Sequence, residues 1–569
     1  MGIDSIRVMR LNRVITNKVN VVMQKKAFDY IIVGAGSSGC VLASRLSEDP
    51  SVSVCLLEAG GPDTSVFIHA PLGAAAMLPT KINNWAFETI PQKGLKGRKG
   101  YQPRGKTLGG SSSTNAMLYV RGNKWDYDHW RSLGNKGWGY VDVLPYFKKS
   151  EHNEALEDEF HGQGGPLNVS NATDASTLNK RFIESCEING VPVTADYNGK
   201  QQEGAFMYQR TVINGERCSA AKAYLTPNVG RSNLTIYTHA LSEKVIIKNH
   251  KAVGVRFKQQ GDSIEVFANK EVLLSGGAFG SPQLLMLSGI GPADHLREKG
   301  IDVIKDLPGV GQNLQDHIDY VQTFKTDSRS DTFGLSIRGS VKMLQSMLQW
   351  KKHRTGKVTS TIAESGAFFK SSEAIEIPDL QLVWIAGIVD DHARKVNFGH
   401  GYSCHITLLR PKSVGEVKLD TANPEDALLI DPKFFNHPDD MTVLLEGAKR
   451  MQKILMDKPF DGVRGGMLYN VEAGDDVALE NDIRNRADTQ YPPIGTCKMG
   501  TKEDVLAVVD NELRVYGIDS LRVVDASVMP SLIGGNTNAP CIMMGEKAAD
   551  MIRSGSRVAK VEEAISECC

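Results

Sequence analysis

The sequence predicts an α/β protein that contains a Rossmann-type nucleotide-binding domain, and three observations support this fold class. A short apolar strand near residue 30 runs directly into a glycine-rich turn and then into a helix-compatible segment. A second apolar strand follows at residues 52–57 and ends at an acidic residue. The chain of 569 residues is too long for one hydrophobic core, so we expect about two large units.

The first element is the run at residues 28–33, whose apolar and β-branched side chains are typical of a buried parallel strand. It leads into the pattern G-x-G-x-x-G. Gly34 permits the tight turn, Gly36 lets the backbone approach a pyrophosphate, and Gly39 lets the next helix pack closely on the strand. The cofactor-binding residues that we predict in this turn are Gly34, Gly36, Ser37, Ser38 and Gly39.

The second element is the strand at residues 52–57, which is followed by Glu58, nineteen residues after Gly39. A carboxylate at this distance can accept hydrogen bonds from ribose hydroxyls and would repel a 2′-phosphate. The two strands, the helix and the acid together predict a dinucleotide site. They do not by themselves distinguish FAD from NAD.

Four segments further along the chain resemble signature segments of the glucose–methanol–choline (GMC) oxidoreductase family. They occur in the family's order, and the resemblance extends from about residue 27 to 554. It implies a flavoprotein whose Rossmann-type domain binds FAD. It also implies an interleaved substrate domain, built on an antiparallel sheet that helices cover. The four segments are 105–119, 277–291, 309–317 and 521–530.

The same resemblance implies which side chains and main-chain groups contact FAD. Small residues at 109–113 let the backbone approach a large planar ligand. Asp525 follows a short apolar strand, at the end where open α/β sheets bind ligands. Val245 could equally be a simple strand residue. Thr114 stands where some members attach the flavin through a histidine, so we expect non-covalent FAD. The further predicted contacts are Gly110, Ser113, Asn115, Met117, Val245, Asp525 and Asn536.

The family's catalytic histidine lies in a segment of the form Y-H-P-x-G-T-C-x-M-G, which here reads Y-P-P-I-G-T-C-K-M-G at residues 491–500. Pro492 occupies the position of the base and has no titratable group. The family's partner residue matches Asn538, whose amide can orient an oxygen but cannot take up a proton. His317 could serve as base instead, although a structural role beside the flavin is favoured.

Three interpretations of Pro492 follow. The chain could be an FAD-dependent dehydrogenase that oxidises a primary alcohol by hydride transfer to flavin N5, altered at the base position. It could carry out other flavin chemistry, like the fatty acid photodecarboxylases, which also lack this histidine. Their cysteine and arginine positions hold Ala363 and Val383 here, which ranks that alternative lower. Thirdly, another group could serve as base, with His317 as the candidate. Outside these three, the non-enzyme alternative is a non-catalytic flavin-binding protein.

The substrate and the electron acceptor are predicted only by class. Segments at 390–392 and 409–415 are similar to bacterial GMC alcohol and choline-type dehydrogenases. An apolar primary alcohol is the favoured substrate, with electrons passing to a quinone or another acceptor. Four apolar residues could line the substrate site or equally lie in the core: Leu380, Leu382, Trp384 and Ile385.

Bulk composition restricts partners and location. Lys plus Arg equals Asp plus Glu at 66 each, so no net field attracts nucleic acid. The nine scattered cysteines form no CxxC pair, so we predict no metal site and a reducing, cytoplasmic setting. Read as a helix, residues 5–26 would be basic and amphipathic. Such a segment could contact an anionic membrane surface, serve as a targeting extension, or be a plain surface helix or frayed leader.

The predicted domain organisation is discontinuous. Residues 1–26 form an N-terminal extension and 556–569 a tail that ends in Cys568-Cys569. We assign 27–65, 230–320 and 500–555 to the FAD-binding domain. The substrate-binding domain, with segments that cover the flavin, takes 66–229 and 321–499.

Overall fold

A computed structural model describes residues 26–173, 175–327, 331–335 and 337–567. The predicted N-terminal helix and the two terminal cysteines lie outside these residues. The strands, numbered along the chain, are β1 Lys26–Val33, β2 Val54–Leu57, β3 Phe87–Glu88, β4 Tyr101–Gln102, β5 Glu151–Asn153, β6 Leu167–Val169, β7 Gly204–Met207, β8 Val212–Ile213, β9 Glu216–Arg217, β10 Leu234–Tyr237, β11 Leu241–Lys248, β12 Lys251–Gln259, β13 Asp262–Leu274, β14 Ile290–Gly291, β15 Lys305–Asp306, β16 Ile318–Lys325, β17 Gly334–Leu335, β18 Ala363–Phe369, β19 Leu380–Ile385, β20 Gly399–Leu408, β21 Glu416–Leu419, β22 Leu428–Asp431, β23 Asp488–Thr489 and β24 Leu521–Val523.

The α-helices are numbered in the same way. They are α1 Ser37–Leu46, α2 Val66–His69, α3 Ala74–Met77, α4 Lys124–Ser132, α5 Tyr140–Ser150, α6 Leu178–Ile188, α7 Gly277–Leu287, α8 Ala293–Glu298, α9 Ile337–His353, α10 Pro438–Met456, α11 Asp476–Arg486 and α12 Asn538–Glu567. A π-helical turn covers Ala221–Leu225. Short 3-10 helices cover Pro71–Gly73, Lys93–Leu95, Gly110–Ser113, Thr226–Asn228, Lys357–Thr359, Asp391–Ala393, Lys458–Phe460 and Ala526–Val528.

The first large sheet has the strand order β10-β2-β1-β13-β12-β11, with β24 also paired to β13. Strands β10, β2, β1, β13 and β24 run parallel, whereas β12 and β11 extend the sheet as antiparallel strands. The central strand β1 is buried along most of its length, because parallel sheets are covered on both faces. This sheet confirms the predicted Rossmann-type domain.

The second large sheet has the strand order β23-β16-β20-β19-β18-β7 and is antiparallel throughout. Helix α10 packs on β19 and β20, α6 packs on β7 and β18, and α11 packs on β16. These helices cover one face of the sheet, since alternate strand residues join them in a single hydrophobic core. The predicted antiparallel sheet covered by helices is therefore confirmed.

The two units are interleaved along the chain. Strands of the first sheet come from both ends and from residues 234–274, whereas β16 (Ile318–Lys325) crosses the predicted boundary at residue 320. Helix α5, inside the segment 66–229, packs on α12 and contributes Phe147 to the first core. Of the helices in the described part of the chain, none is long and apolar enough to cross a membrane.

Candidate functional site

A cavity of about 440 Å³ lies where the glycine turn of the first sheet meets the uncovered face of the second. It brings together most of the residues that the sequence predicted for cofactor binding and catalysis. Gly39, Ser113 and Val245 are predicted site residues that do not line it. The predicted residues that line it are Gly34, Gly36, Ser37, Ser38, Glu58, Gly110, Asn115, Met117, Pro492, Asp525, Asn536 and Asn538.

The three glycines of the turn between β1 and α1 have different local environments. Gly34 has φ +96°, and a Cβ there would lie 2.4 Å from the Ser275 carbonyl oxygen. A Cβ on Gly39 would lie 1.9 Å from the carbonyl oxygen of Gly34, so this glycine permits the close helix–strand contact. A Cβ on Gly36 would meet nothing nearer than 3.8 Å. The space beside Gly36 is therefore open, and a pyrophosphate can come close to the main chain there.

Gly110 closes the opposite side of the same space. It has φ +53°, and a Cβ on it would lie 2.7 Å from the Cα of Gly36. The backbones of Gly36 and Gly110 are therefore in direct contact, and together they give the cavity a surface without side chains. Such a cradle admits a diphosphate or a planar ring close to main-chain amides.

Glu58 lies at the end of β2 and is buried. Its carboxylate oxygens accept hydrogen bonds from the backbone N–H groups of Ala35, at 2.9 Å, and Gly60, at 2.8 Å. Burial raises the pKa of Glu58 to about 7. The two hydrogen bonds favour the charged form and so oppose this effect, but burial is the larger of the two. The remaining lone pairs of a carboxylate held in this way can accept from ribose hydroxyls.

Asp525 follows β24 and is also buried. It accepts hydrogen bonds from Ser281 Oγ at 2.6 Å, from the Ser527 amide at 2.8 Å and from the Gly277 amide at 2.9 Å. Burial raises the pKa of this carboxyl. Its chief structural effect is to fix the N-terminus of α7 against the end of β24, on the cavity lining.

The predicted contacts at residues 113–117 differ in position. Ser113 is buried beneath the cavity, and its hydroxyl donates to the Leu108 carbonyl. Asn115 lines the cavity, with its side-chain oxygen accepting from the Met117 amide and from Arg217. Thr114 also lines it.

Near Val245 the structure shows a different set of contacts. Val245 is fully buried, and its amide donates to Ser288 Oγ at 2.8 Å. The neighbouring residues Ala240, Leu241 and Ser242 line the cavity instead. Ser242 Oγ is buried and has no hydrogen-bond partner within the described chain. This hydroxyl can bond a ligand group at the cavity lining, and no local sequence signal marks it.

These features fit FAD, although no ligand is part of the structure. The glycine cradle suits a pyrophosphate, Glu58 suits a ribose, and Ser242 provides an unpartnered hydroxyl in the same cavity. The cavity also continues past the cradle to the second sheet, where the predicted catalytic residues lie.

Pro492 and Asn538 both line the cavity, and Asn538 does so beside the glycine turn. Pro492 is buried and follows Tyr491, whose φ is +77°. Asn538 begins α12, and its side-chain oxygen accepts a hydrogen bond from Ser37 Oγ at 2.7 Å. Because the oxygen is occupied, the amide presents N–H groups as its free hydrogen-bonding capacity.

His317 does not lie on the lining. Its ring is fully buried, and Nε2 contacts the carbonyl oxygens of Leu409 and Ile533 at 3.1 Å each. Burial lowers the pKa of His317 to about 3. A neutral ring that donates to two carbonyls joins separate segments beneath the site, as the favoured structural interpretation expects.

Two other histidines, which the motif search did not select, line the cavity. His405 on β20 contacts Asp319 on β16 through Nδ1 at 2.5 Å. His392 contacts the Asp488 carboxylate through Nε2 at 3.1 Å and the Tyr491 hydroxyl through Nδ1. Both contacts join residues far apart in sequence, so no local spacing could have revealed them.

The part of the second-sheet wall that β18 and β19 form is apolar. Ala363, Val383 and Ile385 line the cavity, and the antiparallel register pairs Ala363 with Ile385. The alternating residues Leu380, Leu382 and Trp384 point to the other face, into the core beneath α10 and α6. Of the four residues left open by the sequence, only Ile385 lines the site.

Comparison with known proteins agrees with this arrangement. Models of the GMC oxidoreductase family match residues 28–319 and 411–545. An alcohol dehydrogenase [acceptor] of Pseudomonas putida is 44% identical over 530 residues, which cover 92% of this chain and 95% of that protein. The mitochondrial choline dehydrogenase of Homo sapiens is 42% identical over 538 residues, covering 92% of this chain and 90% of that one.

Solved structures give the same result. A pyridoxine 4-oxidase from Mesorbium loti superposes with a TM-score of 0.84 at 30% identity, over 93% of this chain and 99% of that one. A formate oxidase of Aspergillus oryzae, studied for FAD modification, superposes with a TM-score of 0.86 at 27% identity, over 94% and 99%. With its glycine cradle, its two sheets and these relatives, the chain belongs to the GMC oxidoreductase family.

Proposed function

We propose that this protein is an FAD-dependent dehydrogenase that oxidises an apolar primary alcohol. The observation that carries the proposal is a single cavity that joins the glycine cradle to an apolar sheet wall. Asn538 and Pro492, at the two catalytic positions of the family, lie on its lining. The similarity to an alcohol dehydrogenase [acceptor] over 92% of the chain supports the same reaction.

FAD, when bound, supplies the two-electron acceptor that takes up hydride from the alcohol carbon. We assign its binding to the cradle of Gly36 and Gly110, to Glu58 and to the hydroxyl of Ser242. Thr114 has no nucleophilic nitrogen, so FAD is held non-covalently. Acid precipitation of the protein should therefore leave the yellow cofactor in the supernatant.

Asn538 positions the substrate oxygen in this proposal. Its N–H groups can donate to the alcohol oxygen and stabilise the negative charge that develops there as the hydroxyl proton leaves. The hydrogen bond from Ser37 fixes the amide in this orientation. Pro492 cannot accept the proton, so another group on the lining must do so.

The polarity of the wall favours an apolar alcohol over choline. A quaternary ammonium substrate needs a carboxylate or an aromatic cage. Glu364 on β18 is turned away from the lining, and its carboxylate accepts from Asn179, Ser360 and the Ser176 amide. Asp319 is a carboxylate on the lining, but it is held by His405 and Thr407. Ala363, Val383 and Ile385 offer hydrocarbon beside it. A quinone or a similar carrier would then take the electrons.

The same wall gives little support to photodecarboxylation. The positions of that enzyme's cysteine and arginine are Ala363 and Val383, and neither can bind a carboxylate. Arg104 is a cation on the lining, but it donates to the carbonyl oxygens of Pro103 and Tyr491.

The test is anaerobic stopped-flow absorbance of the FAD-loaded protein with primary alcohols of increasing length and with choline. Wild type and Pro492→His should both lose flavin absorbance with apolar alcohols. Pro50→His, at an exposed position, is the matched control and should behave as wild type. If no alcohol bleaches wild type or Pro492→His, although dithionite bleaches both, the proposal is wrong. Alkane formed from a fatty acid only under blue light would indicate photodecarboxylation instead.

A further inference from the structure

We infer that His405, oriented by Asp319, accepts the hydroxyl proton of the substrate and so replaces the base that Pro492 cannot supply. The inference rests on the proposed alcohol oxidation. It adds a catalytic histidine on a strand of the second sheet, at a position distinct from 492.

The position follows from the strand register. His405 on β20 lies directly opposite Val383 on β19 and opposite Val321 on β16. Directly opposed residues of an antiparallel pair point to the same face, so His405 faces the cavity together with the apolar side chain of Val383. Both residues line the cavity, as does Asp319.

The contacts orient the ring. Asp319 accepts from His405 Nδ1 through one carboxylate oxygen, at 2.5 Å, and from Thr407 Oγ1 through the other, at 2.8 Å. A carboxylate next to Nδ1 favours the tautomer that carries its hydrogen there. The lone pair of the neutral ring is then on Nε2, which is the arrangement a general base requires.

Nε2 of His405 is available for this role. It is buried, and it has no hydrogen-bond partner among the residues that the structure describes. An unpaired buried ring nitrogen is costly unless a ligand completes its hydrogen bonding. For a substrate hydroxyl to donate to it, a small movement of neighbouring side chains must expose the nitrogen to the cavity.

Four other titratable groups on the cavity lining are already occupied. His392 has both ring nitrogens in contact, one with Asp488 and one with the Tyr491 hydroxyl. Burial raises the pKa of Tyr491 well above its usual range, so its hydroxyl keeps its proton. Glu58 and Asp525 accept backbone N–H groups at the cofactor end.

The reaction balances as follows. The O–H bond of the alcohol breaks, and its proton goes to Nε2 of His405. The hydrogen on the carbinol carbon leaves with two electrons, as hydride, to the bound FAD, and the alcohol becomes an aldehyde. The imidazolium then loses its proton to solvent, while an external acceptor of the quinone class removes the two electrons.

The experiment measures flavin reduction by 1-octanol under anaerobic conditions, with FAD content determined for every variant. His405→Gln should lower the rate constant for reduction about 10²- to 10⁴-fold, the usual contribution of a general base. His353→Gln, an exposed histidine at the end of α9, should leave it unchanged. Adding Pro492→His to His405→Gln should recover much of the lost rate, because it restores a base at the family position.

Binding of an unreactive alcohol separates chemistry from structure. 2,2,2-Trifluoroethanol resists hydride loss, and its Kd can be read from the perturbed flavin spectrum. Glutamine can still accept a hydrogen bond at position 405, so the Kd for trifluoroethanol and the FAD content should change less than about threefold. A purely structural role for His405 would weaken both.

Asp319→Asn is the second variant, should His405→Gln not fold. An amide that donates to Nδ1 would move the ring hydrogen to Nε2, so reduction should slow although His405 is still present. If the flavin of His405→Gln or Asp319→Asn is reduced at the wild-type rate, and alcohols also reduce Pro492→His, the inference about His405 is wrong but the proposed function stands. If Pro492→His is also unreactive with every alcohol, the proposed function itself fails.

Discussion

Ser37 and Asn538 are 501 residues apart in sequence, and the hydroxyl of Ser37 donates to the side-chain oxygen of Asn538 at 2.7 Å. The contact joins the N-terminus of α1, beside the glycine cradle, to the N-terminus of α12. Residues that hold the cofactor thereby orient the amide that we assign to the substrate oxygen. In the proposed function, cofactor binding and substrate orientation would share this hydrogen bond.

Replacing either partner of this pair should have different consequences. Asn538→Ala removes the donor to the developing oxyanion and should lower the rate of flavin reduction about 10²- to 10³-fold. Ser37→Ala removes only an orienting hydrogen bond of about 0.5–1.5 kcal/mol, so a loss of roughly two- to tenfold is expected. Single-turnover kinetics measures both. Equal losses in the two variants would contradict the assignment of Asn538.

Gly110→Ala should weaken FAD binding. The added Cβ would lie 2.7 Å from the Cα of Gly36, and φ +53° is itself strained for alanine. A strain of about 1–3 kcal/mol corresponds to roughly a five- to 150-fold rise in Kd. Gly230→Ala is the control, since its Cβ would meet no heavy atom within 4 Å. Fluorescence titration of apoprotein with FAD reports both, and unchanged affinity in Gly110→Ala would rule out the cradle.

Alcohol chain length should control specificity. Each methylene buried against Ala363, Val383 and Ile385 contributes about 0.8 kcal/mol, so kcat/KM should rise roughly fourfold per carbon until the wall is covered. Val383→Ser should reduce this slope, because the wall loses apolar surface. Steady-state assays with a dye acceptor measure the series. A flat series, or choline as the best substrate, would refute an apolar site.

His317 should make the protein sensitive to acid. Burial lowers its pKa to about 3 in the folded chain, whereas an exposed histidine has a pKa of about 6.5. The unfolded chain therefore takes up the proton first, and stability falls as pH drops from about 6.5 towards 3. The loss approaches about 1.4 kcal/mol per pH unit, since one proton is involved.

The His317→Gln variant tests this dependence. Glutamine keeps an N–H donor for the two carbonyls but does not titrate. The thermal midpoint should fall less steeply between pH 7 and 5 than in wild type. Buried Glu58 and Asp316 each have a raised pKa of about 7. Their contribution to the stability of the folded protein is lost as pH rises, and it is the same in wild type and variant. Identical pH slopes in the two proteins would show that His317 does not carry the effect.

Local patterns predicted much of the fold. The strand–turn–helix at residues 28–46 and the acid at Glu58 depend on nearby residues, because backbone conformation and strand polarity act over short distances. The collinear GMC-like segments then implied the second, antiparallel sheet. The sequence did not predict which residues of that sheet line the cavity. Leu380, Leu382 and Trp384 lie in the core and Ile385 lines the cavity, and this depends on which face of the sheet the helices cover.

The sequence by itself determined that a Rossmann-type turn is present, that Thr114 cannot hold a flavin covalently, and that Pro492 cannot act as a base, because these depend on residue identity. Only the tertiary structure decided which side chains meet at the cavity. Asp319 and His405 are 86 positions apart, and their contact depends on strand register, in which a shift of one residue reverses every side chain. The same register turns Val383 and His405 towards the cavity and Trp384 towards the core.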